Sequence, residues 1–238
     1  MRVVVNRSVE KNVVCIREEI AEAAFRSGRD PSEVRLMAVT KTVDDERILE
    51  AVAAGVHLIG ENYVQEARRK VPILPEDLEW HMIGHLQTNK SRHAVRLFHM
   101  IQSVDRMELA RELNKRCVAA NVVMPVLVEV NTGGEESKSG IRPEEAVRFV
   151  ETVATCGNLS IRGLMTMPPW FAEAEEARPY FRALREMRDR ITERHVPGVH
   201  MTELSMGMSN DFVVAVEEGA TIVRLGRAIF GERPPKHV

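Results

Sequence analysis

Residues 34–45, VRLMAVTKTVDD, place a lysine at the end of an apolar run. The run from Leu36 to Thr40 is short and mostly apolar, which is typical of a buried strand. Lys41 follows it directly, and a helical pattern begins within a few residues. The segment therefore predicts a strand–helix unit with a lysine at the carboxyl end of the strand.

The same unit recurs along the chain. Short apolar runs rich in β-branched residues predict strands at 34–40, 56–60, 79–84, 98–103, 124–131, 159–166, 199–204 and 221–225. Amphipathic stretches after them predict helices at 43–54, 62–70, 89–96, 106–120, 143–155, 172–194 and 209–218. A further helix is predicted at 6–27, where Gly28 ends it, and Gly55 and Gly219 end two of the later helices.

Eight strands in a chain of 238 residues favour an α/β fold, a single (β/α)8 TIM barrel with an extra N-terminal helix. A doubly wound open sheet is the alternative. It usually has fewer strands, and no Gly-x-Gly-x-x-Gly segment follows the first strand here. Because no linker, repeat or low-complexity tract divides the sequence, we expect one domain over residues 1–238.

Composition and charge argue against several classes of function. The formal net charge of -2 gives no basic field for nucleic acid or an anionic membrane. No apolar run approaches the roughly 20 residues that span a bilayer, and the first residues are too charged for a signal peptide. The 3 cysteines form no Cys-x-x-Cys pair. We expect a cytoplasmic protein that binds neither nucleic acid nor membrane.

Two loops carry the pattern of an anion site. In a (β/α)8 barrel, functional residues follow the strands, and the loops after strands seven and eight commonly bind phosphate. Ser205, Gly207 and Ser209 follow the seventh predicted strand, and Arg224, Gly226 and Arg227 come from the eighth and its loop. A single Ser-Gly loop is more often only a helix cap, so the prediction depends on both loops together.

Lys41 reaches the same end of the predicted barrel. A lysine just past a strand is usually a solvated cation. A lysine held among apolar walls loses hydration, however, which lowers its pKa, and a neutral amine can form a Schiff base with an aldehyde. Combined with a phosphate site, this indicates a phosphorylated aldehyde as ligand, and pyridoxal 5'-phosphate (PLP) is the main candidate.

The histidines do not form a metal-binding motif. His81 and His85 are four residues apart, but they fall in a predicted strand and loop, and the His-Glu-x-x-His pattern is absent. We expect no metal ion in the site.

Seven segments, in order, resemble the PLP homeostasis protein family. They are AVTKT, GENYVQEA, WHMIGHLQTNKSR, SKSGI, RGLMTMP, LSMGMSND and VRLGRAIFG. The resemblance runs from about residue 34 to residue 231. It implies a barrel of the alanine racemase type, which is fold type III among PLP proteins.

The resemblance also implies roles for single residues. Lys41 looks like the Schiff-base lysine, Asn62 like a neighbour of the cofactor ring, and Arg224 like the residue that faces the pyridine nitrogen. Met82 and Ile83 look like walls beside the ring. The phosphate cradle implied by the family is Ser205, Gly207, Gly226 and Arg227.

The implied chemistry favours a protein without strong catalytic activity. Arginine only donates hydrogen bonds, so Arg224 leaves the ring nitrogen neutral and the ring a weak electron sink. In alanine racemases a tyrosine from an added C-terminal domain of the partner subunit is the second acid/base, and this sequence, which ends at GERPPKHV, leaves no room for that domain. We expect a monomeric PLP carrier, with PLP-dependent apoenzymes as candidate recipients.

Two other hypotheses stay open at this point. One is an amino-acid racemase that uses PLP with Lys41 alone or together with His85. The other is a barrel that binds a different phosphorylated metabolite, in which Lys41 is a simple cation and forms no covalent adduct with PLP.

Overall fold

The protein folds into a closed parallel barrel, as a computed structural model that describes residues 8–135 and 138–232 shows. The strands are Arg35–Val39 (β1), Leu58–Glu61 (β2), Glu79–Met82 (β3), Met100–Val104 (β4), Met124–Glu129 (β5), Leu159–Met165 (β6), Val199–Ser205 (β7) and Ile222–Leu225 (β8). The α-helices are Val9–Arg26 (α1), Asp45–Ala53 (α2), Val64–Lys70 (α3), Ser91–Leu97 (α4), Met107–Ala120 (α5), Ala146–Val153 (α6), Arg178–Thr192 (α7), Phe212–Glu217 (α8) and Arg227–Phe230 (α9).

The pairing of the first and last strands closes the barrel. β1 pairs in parallel with β8, with Met37 opposite Arg224, and each strand between them pairs with its neighbours in the chain. An open doubly wound sheet has two unpaired edges, so this closure decides between the two predicted folds. The prediction of a (β/α)8 barrel is confirmed.

The observed elements depart from the predicted ones mainly at their ends. The predicted helix 172–194 begins as a 3-10 helix at Ala174–Ala177 before α7. The short helix α9 directly after β8 was not predicted, because four residues give no helical period to detect. Residues 6 and 7 of the predicted N-terminal helix lie outside the described residues.

The N-terminal helix covers one side of the barrel. Ser8 caps α1, and the helix buries Val13 and Ile16 against the outer layer of the barrel. The side-chain amide of Asn12 donates to the carbonyl of Ile229 over 2.9 Å, which ties the start of α1 to α9. This extra helix therefore supports the segment that follows β8.

Two broad observations bear on the expected classes of function. Within residues 8–135 and 138–232, no helix combines the length and apolar character needed to cross a membrane. The same residues contain no cluster of three or more His, Cys, Asp and Glu side chains that could hold a metal ion.

Candidate functional site

A cavity of about 160 Å³ opens at the carboxyl ends of the strands. Its lining comes from β1, β8 and the loops after β1, β2, β3, β6, β7 and β8, so several separate loops converge on it. The lining residues are Val39, Lys41, Asn62, Ile83, Met167, Met208, Ser209, Arg224, Gly226 and Arg227. This is the end of the barrel at which (β/α)8 proteins carry their ligands.

The charge of the cavity is one-sided. Lys41, Arg224 and Arg227 are cations, and no Asp or Glu belongs to the described lining. The remaining wall is mainly apolar, with the side chains of Val39, Ile83, Met167 and Met208. Such a site suits a ligand that combines an anionic group with a flat or apolar body.

A buried ionic cluster holds the backbone on both sides of Lys41. Lys70 is 1% exposed, and its Nζ donates to the Thr40 carbonyl over 2.7 Å and to Glu61 Oε1 over 2.6 Å. It also donates to Glu66 Oε2 over 2.9 Å, and this oxygen accepts the Thr42 backbone N–H over 2.9 Å. The residues before and after Lys41 are therefore bound to one cluster.

The turn that follows Lys41 adopts an unusual backbone conformation. Thr42 has a φ of 61°, in the left-handed region that β-branched residues rarely adopt. Such a conformation persists only where the surrounding contacts hold it. The bond from Thr42 to Glu66 is one of those contacts. Strain beside a candidate reactive lysine is consistent with a functional site.

Asn62 is placed by a close approach of two loops. A Cβ on Gly84 would lie only 2.4 Å from the carbonyl oxygen of Asn62 and 2.8 Å from its Cα. Only glycine therefore lets the segment after β3 run so near the segment after β2. The segments GENY and MIGH show these residues in the sequence, but the contact between Gly84 and Asn62 is visible only in the fold.

The loops after β7 and β8 are joined, as the predicted anion site requires. Ser209 Oγ accepts the backbone N–H of Ala228 over 3.1 Å, which links the β7 loop to the first turn of α9. Gly207 has a φ of 93°, and a Cβ there would lie 2.6 Å from the Cβ of Ala215. The two loops thus converge beside the cavity, where Ser209, Gly226 and Arg227 line the wall.

Arg224 is a buried cation at the floor of the cavity. It is 4% exposed, and its guanidinium donates to Ser205 Oγ over 2.8 Å and to the Thr166 carbonyl over 2.7 Å. Burial lowers the pKa of Arg224 to about 10, while attraction to Asp211 and Glu129 opposes this shift. The side chain stays protonated at neutral pH and is held in a fixed orientation.

Three predicted residues do not line the cavity. Met82 lies in the hydrophobic core shared with the helices, because it points out of the barrel while Ile83 reaches the cavity. Ser205 is fully buried beneath the cavity, where its hydroxyl contacts Arg224 and Gln102. Gly207 lies behind the β7 loop, and its carbonyl accepts the backbone N–H of Arg224 over 3.0 Å.

Several lining residues were not predicted. Met167 and Met208 were interpreted as barrel packing, because methionine near a strand end is more often core than binding site. Met208 also borders a neighbouring apolar cavity of about 140 Å³, beside Trp170 and Phe171. A larger cleft of about 420 Å³ lies at the opposite, amino-terminal end of the barrel, next to Arg35 and Glu79.

His85 is outside the cavity. Its ring is 51% exposed, its Nδ1 lies 3.8 Å from Asp105 Oδ2, and it is 3.4 Å from the Ser139 hydroxyl. Among the described lining residues, Lys41 is therefore the one amine that could transfer a proton.

Glu129 is a buried ionisable group at the carboxyl end of the barrel strands, which is also the end that holds the cavity. It is the last residue of β5 and is 3% exposed. Burial raises the pKa of Glu129 to about 7, with repulsion from Asp105 adding to the shift and attraction to Arg224 and Arg106 opposing it. The carboxyl group therefore titrates well above the range usual for a glutamate.

This shift predicts how stability depends on pH. Because the folded-state pKa lies above the ordinary value of 4.5, the folded protein binds the proton more tightly than the unfolded chain. The stabilising contribution of Glu129 to the free energy of unfolding is therefore fully present below pH 4.5, and it is lost as the pH rises to about 7. In Glu129→Gln, the free energy of unfolding relative to the wild type should increase by up to about 3 kcal/mol between pH 4.5 and pH 8.

Urea unfolding of the ligand-free protein across this pH range measures the effect. The matched control is Glu108→Gln, which changes an exposed glutamate on α5. Its profile should run parallel to that of the wild type. A parallel profile for Glu129→Gln as well would contradict the assignment of a raised pKa to Glu129.

Comparison with known proteins agrees with this geometry. The family model described as the alanine racemase N-terminal domain matches residues 16–234. A pyridoxal phosphate homeostasis protein of Aquifex aeolicus is 46% identical over 219 residues, covering 92% of this chain and 95% of the relative. One from Escherichia coli is 39% identical, over 94% of this chain and 97% of the relative.

Solved structures give the same result. PipY of Synechococcus elongatus, solved with PLP bound, is 37% identical with a TM-score of 0.78, over 91% of this chain and all (100%) of PipY. An alanine racemase of Streptomyces coelicolor shares the fold, with a TM-score of 0.69 at 22% identity, and this chain covers 58% of it. The chain therefore belongs to the alanine racemase N-terminal domain family and, within it, to the pyridoxal phosphate homeostasis proteins.

Proposed function

We propose that this chain binds PLP at the mouth of the barrel, as a Schiff base on Lys41, and serves PLP homeostasis by buffering or delivering the cofactor. The observation that carries the proposal is the cavity itself. It combines three cations and four large apolar side chains, with no carboxylate in its described lining. The membership of the chain in the PLP homeostasis family supports the same ligand.

The donor set of the cavity fits this cofactor. PLP supplies an aldehyde, with which a primary amine forms a Schiff base as water leaves, together with an anionic phosphate and an aromatic ring. Lys41 supplies the amine. For the phosphate, Ser209 supplies a hydroxyl, Gly226 its backbone and Arg227 a guanidinium. Val39 and Ile83 supply apolar surface for the ring.

The remaining predicted residues take supporting roles in this proposal. Asn62 lines the cavity beside the proposed ring position. Ser205 and Gly207 act from behind the wall, through their bonds to the side chain and backbone of Arg224. Met82, the last residue of β3, packs on the helix side directly before Ile83 and supports the wall from there.

We propose that the protein has no strong catalytic activity. Racemisation needs a proton-transfer group on each face of the ring, and the described lining supplies only Lys41. Tyr63 and His85 are both more than half exposed and do not line the cavity, while Tyr180 stacks on Phe171 on the outside. Arg224 only donates a hydrogen bond, so it would leave the ring nitrogen neutral and the ring a weak electron sink.

Hydrogen–deuterium exchange at the α-carbon of amino acids tests this part of the proposal. In D2O, the α-hydrogen of L-alanine should exchange no faster with PLP-loaded protein than with free PLP at the same concentration. An alanine racemase is the positive control. Rapid exchange with loss of chirality would instead support the racemase hypothesis.

A transfer assay separates delivery from buffering. Loaded protein is mixed with a PLP-free apoenzyme, with and without a phosphatase that destroys free PLP. Direct delivery predicts that the phosphatase hardly reduces activation of the apoenzyme. Buffering predicts that it abolishes activation, because the cofactor must pass through solution.

We propose a single domain over residues 1–238 that acts as a monomer in the cytoplasm. None of Cys15, Cys117 and Cys156 forms a disulfide in the part of the chain that the structure describes, as is usual in a reducing compartment. Sedimentation velocity of the loaded protein tests the oligomeric state, and a mass near 26.9 kDa is expected for the monomer.

A further inference from the structure

A chain of buried hydrogen bonds runs along the axis of the barrel. Arg224 Nη1 lies 2.8 Å from Ser205 Oγ, which lies 2.6 Å from Gln102 Oε1. Gln102 Nε2 lies 2.8 Å from His81 Nδ1, and His81 Nε2 lies 2.7 Å from Glu79 Oε1. Ser205, Gln102 and His81 are completely buried. The chain links the floor of the cavity to the far end of the barrel.

The two ends of the chain fix the direction of the outer bonds. Arginine can only donate, and an ionised carboxylate can only accept. The hydrogen bond from His81 and the contact with Arg35 hold the pKa of Glu79 down to about 2, so Glu79 is ionised. His81 must then donate from Nε2, while burial lowers its pKa and favours the neutral ring.

The middle of the chain follows from these ends. A neutral His81 that donates from Nε2 leaves Nδ1 as an acceptor, which requires the NH2 group of Gln102 to face it. The amide oxygen of Gln102 then faces Ser205 and accepts its hydroxyl proton. Ser205 is left with its lone pairs toward Arg224, which donates to it. With a neutral His81 ring, each of these bonds therefore joins one donor to one acceptor.

We propose that this axial chain positions Arg224 for the cofactor, and that Gln102 and His81 are positioning residues of the PLP site although neither touches its cavity. Ser205 can accept from Arg224 in a fixed direction only because Gln102 takes the hydroxyl proton. Gln102 is oriented by His81, and His81 by Glu79 at the amino-terminal cleft. The inference builds on the proposed function, since it concerns the residue that would face the pyridine ring.

The first test uses the protein without cofactor. In ¹⁵N-histidine NMR, the His81 ring should show a protonated Nε2 and an unprotonated, hydrogen-bonded Nδ1 between pH 6 and pH 8. The signals are assigned by their absence in His81→Gln. A ring protonated at Nδ1 alone would overturn the proposed direction of the chain, whether or not PLP binds.

The second test changes Gln102, which does not line the cavity. Gln102→Met has a similar volume and removes both bonds, so PLP should bind about tenfold more weakly. The pH midpoint of the visible band should also rise, because a less fixed guanidinium opposes a protonated imine less. Gln102→Glu keeps an acceptor for Ser205 and should bind PLP within about threefold of the wild type.

Matched readouts separate positioning from a merely structural role. Ile101→Val lies on the same strand, is equally buried and faces the core, so it should lower the melting temperature without moving affinity or band midpoint. In Gln102→Glu the new carboxylate faces Nδ1, so His81 should become doubly protonated in the NMR spectrum. Wild-type affinity and an unshifted band in Gln102→Met would overturn the proposal, while failure of the wild type to bind PLP would overturn the proposed function instead.

Discussion

Lys41→Ala is expected to lose the visible Schiff-base band completely when PLP is added. No other side chain in the described lining is a primary amine, so nothing else there can form the covalent bond. The remaining contacts of the phosphate and the ring should still give weak binding. We expect the dissociation constant to rise at least tenfold, the effect of about 1.4 kcal/mol. Spectral titration with PLP measures both quantities.

The control for this variant is Lys115→Ala, which removes an exposed lysine on α5. It should titrate like the wild type, which shows that one fewer lysine does not by itself lower PLP uptake. A Lys41→Ala variant that keeps a full visible band would mean that another lysine carries the imine. In that case the barrel mouth would not be the covalent site.

Lys70→Met is expected to cause the largest loss of stability. It leaves Glu61, which is 0% exposed, without its cation, and the Oε2 atom of Glu61 already has no hydrogen-bond partner. Removing one partner of a buried ion pair typically costs about 3–5 kcal/mol. For a chain of this size, the melting temperature should fall by about 10 °C. PLP uptake should weaken too, because Thr40 loses its bond to Lys70 beside Lys41.

Thermal and urea unfolding of the ligand-free variants measure this effect. The double variant Lys70→Met with Glu61→Gln removes both charges and should recover at least half of the lost stability, since no uncompensated charge remains buried. Lys115→Met is the exposed control and should change the free energy of unfolding by less than about 0.5 kcal/mol. A loss below about 1 kcal/mol in Lys70→Met would contradict the role of the ionic cluster.

The strands were predictable from the sequence because each is a local apolar run. All eight predicted strands are present, and Gly55 and Gly219 end α2 and α8 with φ values of 87° and 101°. Strand number and the position of Lys41 after the first strand then follow from chain order alone. The closure of β1 on β8 is a long-range contact, so the sequence could favour the barrel over an open sheet but could not show the pairing.

The lining of the candidate site was predictable only where position after a strand decides which residues meet. The residues Lys41, Asn62, Arg224, Gly226 and Arg227 meet in one cavity because each lies at or just after the carboxyl end of a strand. Side-chain direction decided the rest: alternation along β3 turns Met82 toward the helices and His81 into the barrel, so that neighbours in sequence have different environments.

The buried polar groups were the features that the sequence concealed. Lys70 ends the segment EARRK, which resembles a solvated helix face, yet it is almost fully buried against Glu61. Gln102 and Ser205 are 103 residues apart, and no local pattern joins them. Such contacts depend on which strands face each other across the barrel, and one sequence without the fold does not give this information.

Borohydride reduction of the PLP-loaded protein, followed by peptide mass mapping, tests the central claim most directly. The visible band should bleach, and the pyridoxyl mass should appear on the peptide that contains Lys41 and at that residue. A protein that stays colourless with PLP, or that carries the pyridoxyl group elsewhere with none on Lys41, would contradict the claim. The first of these results would leave a binder of another phosphorylated metabolite as the remaining interpretation.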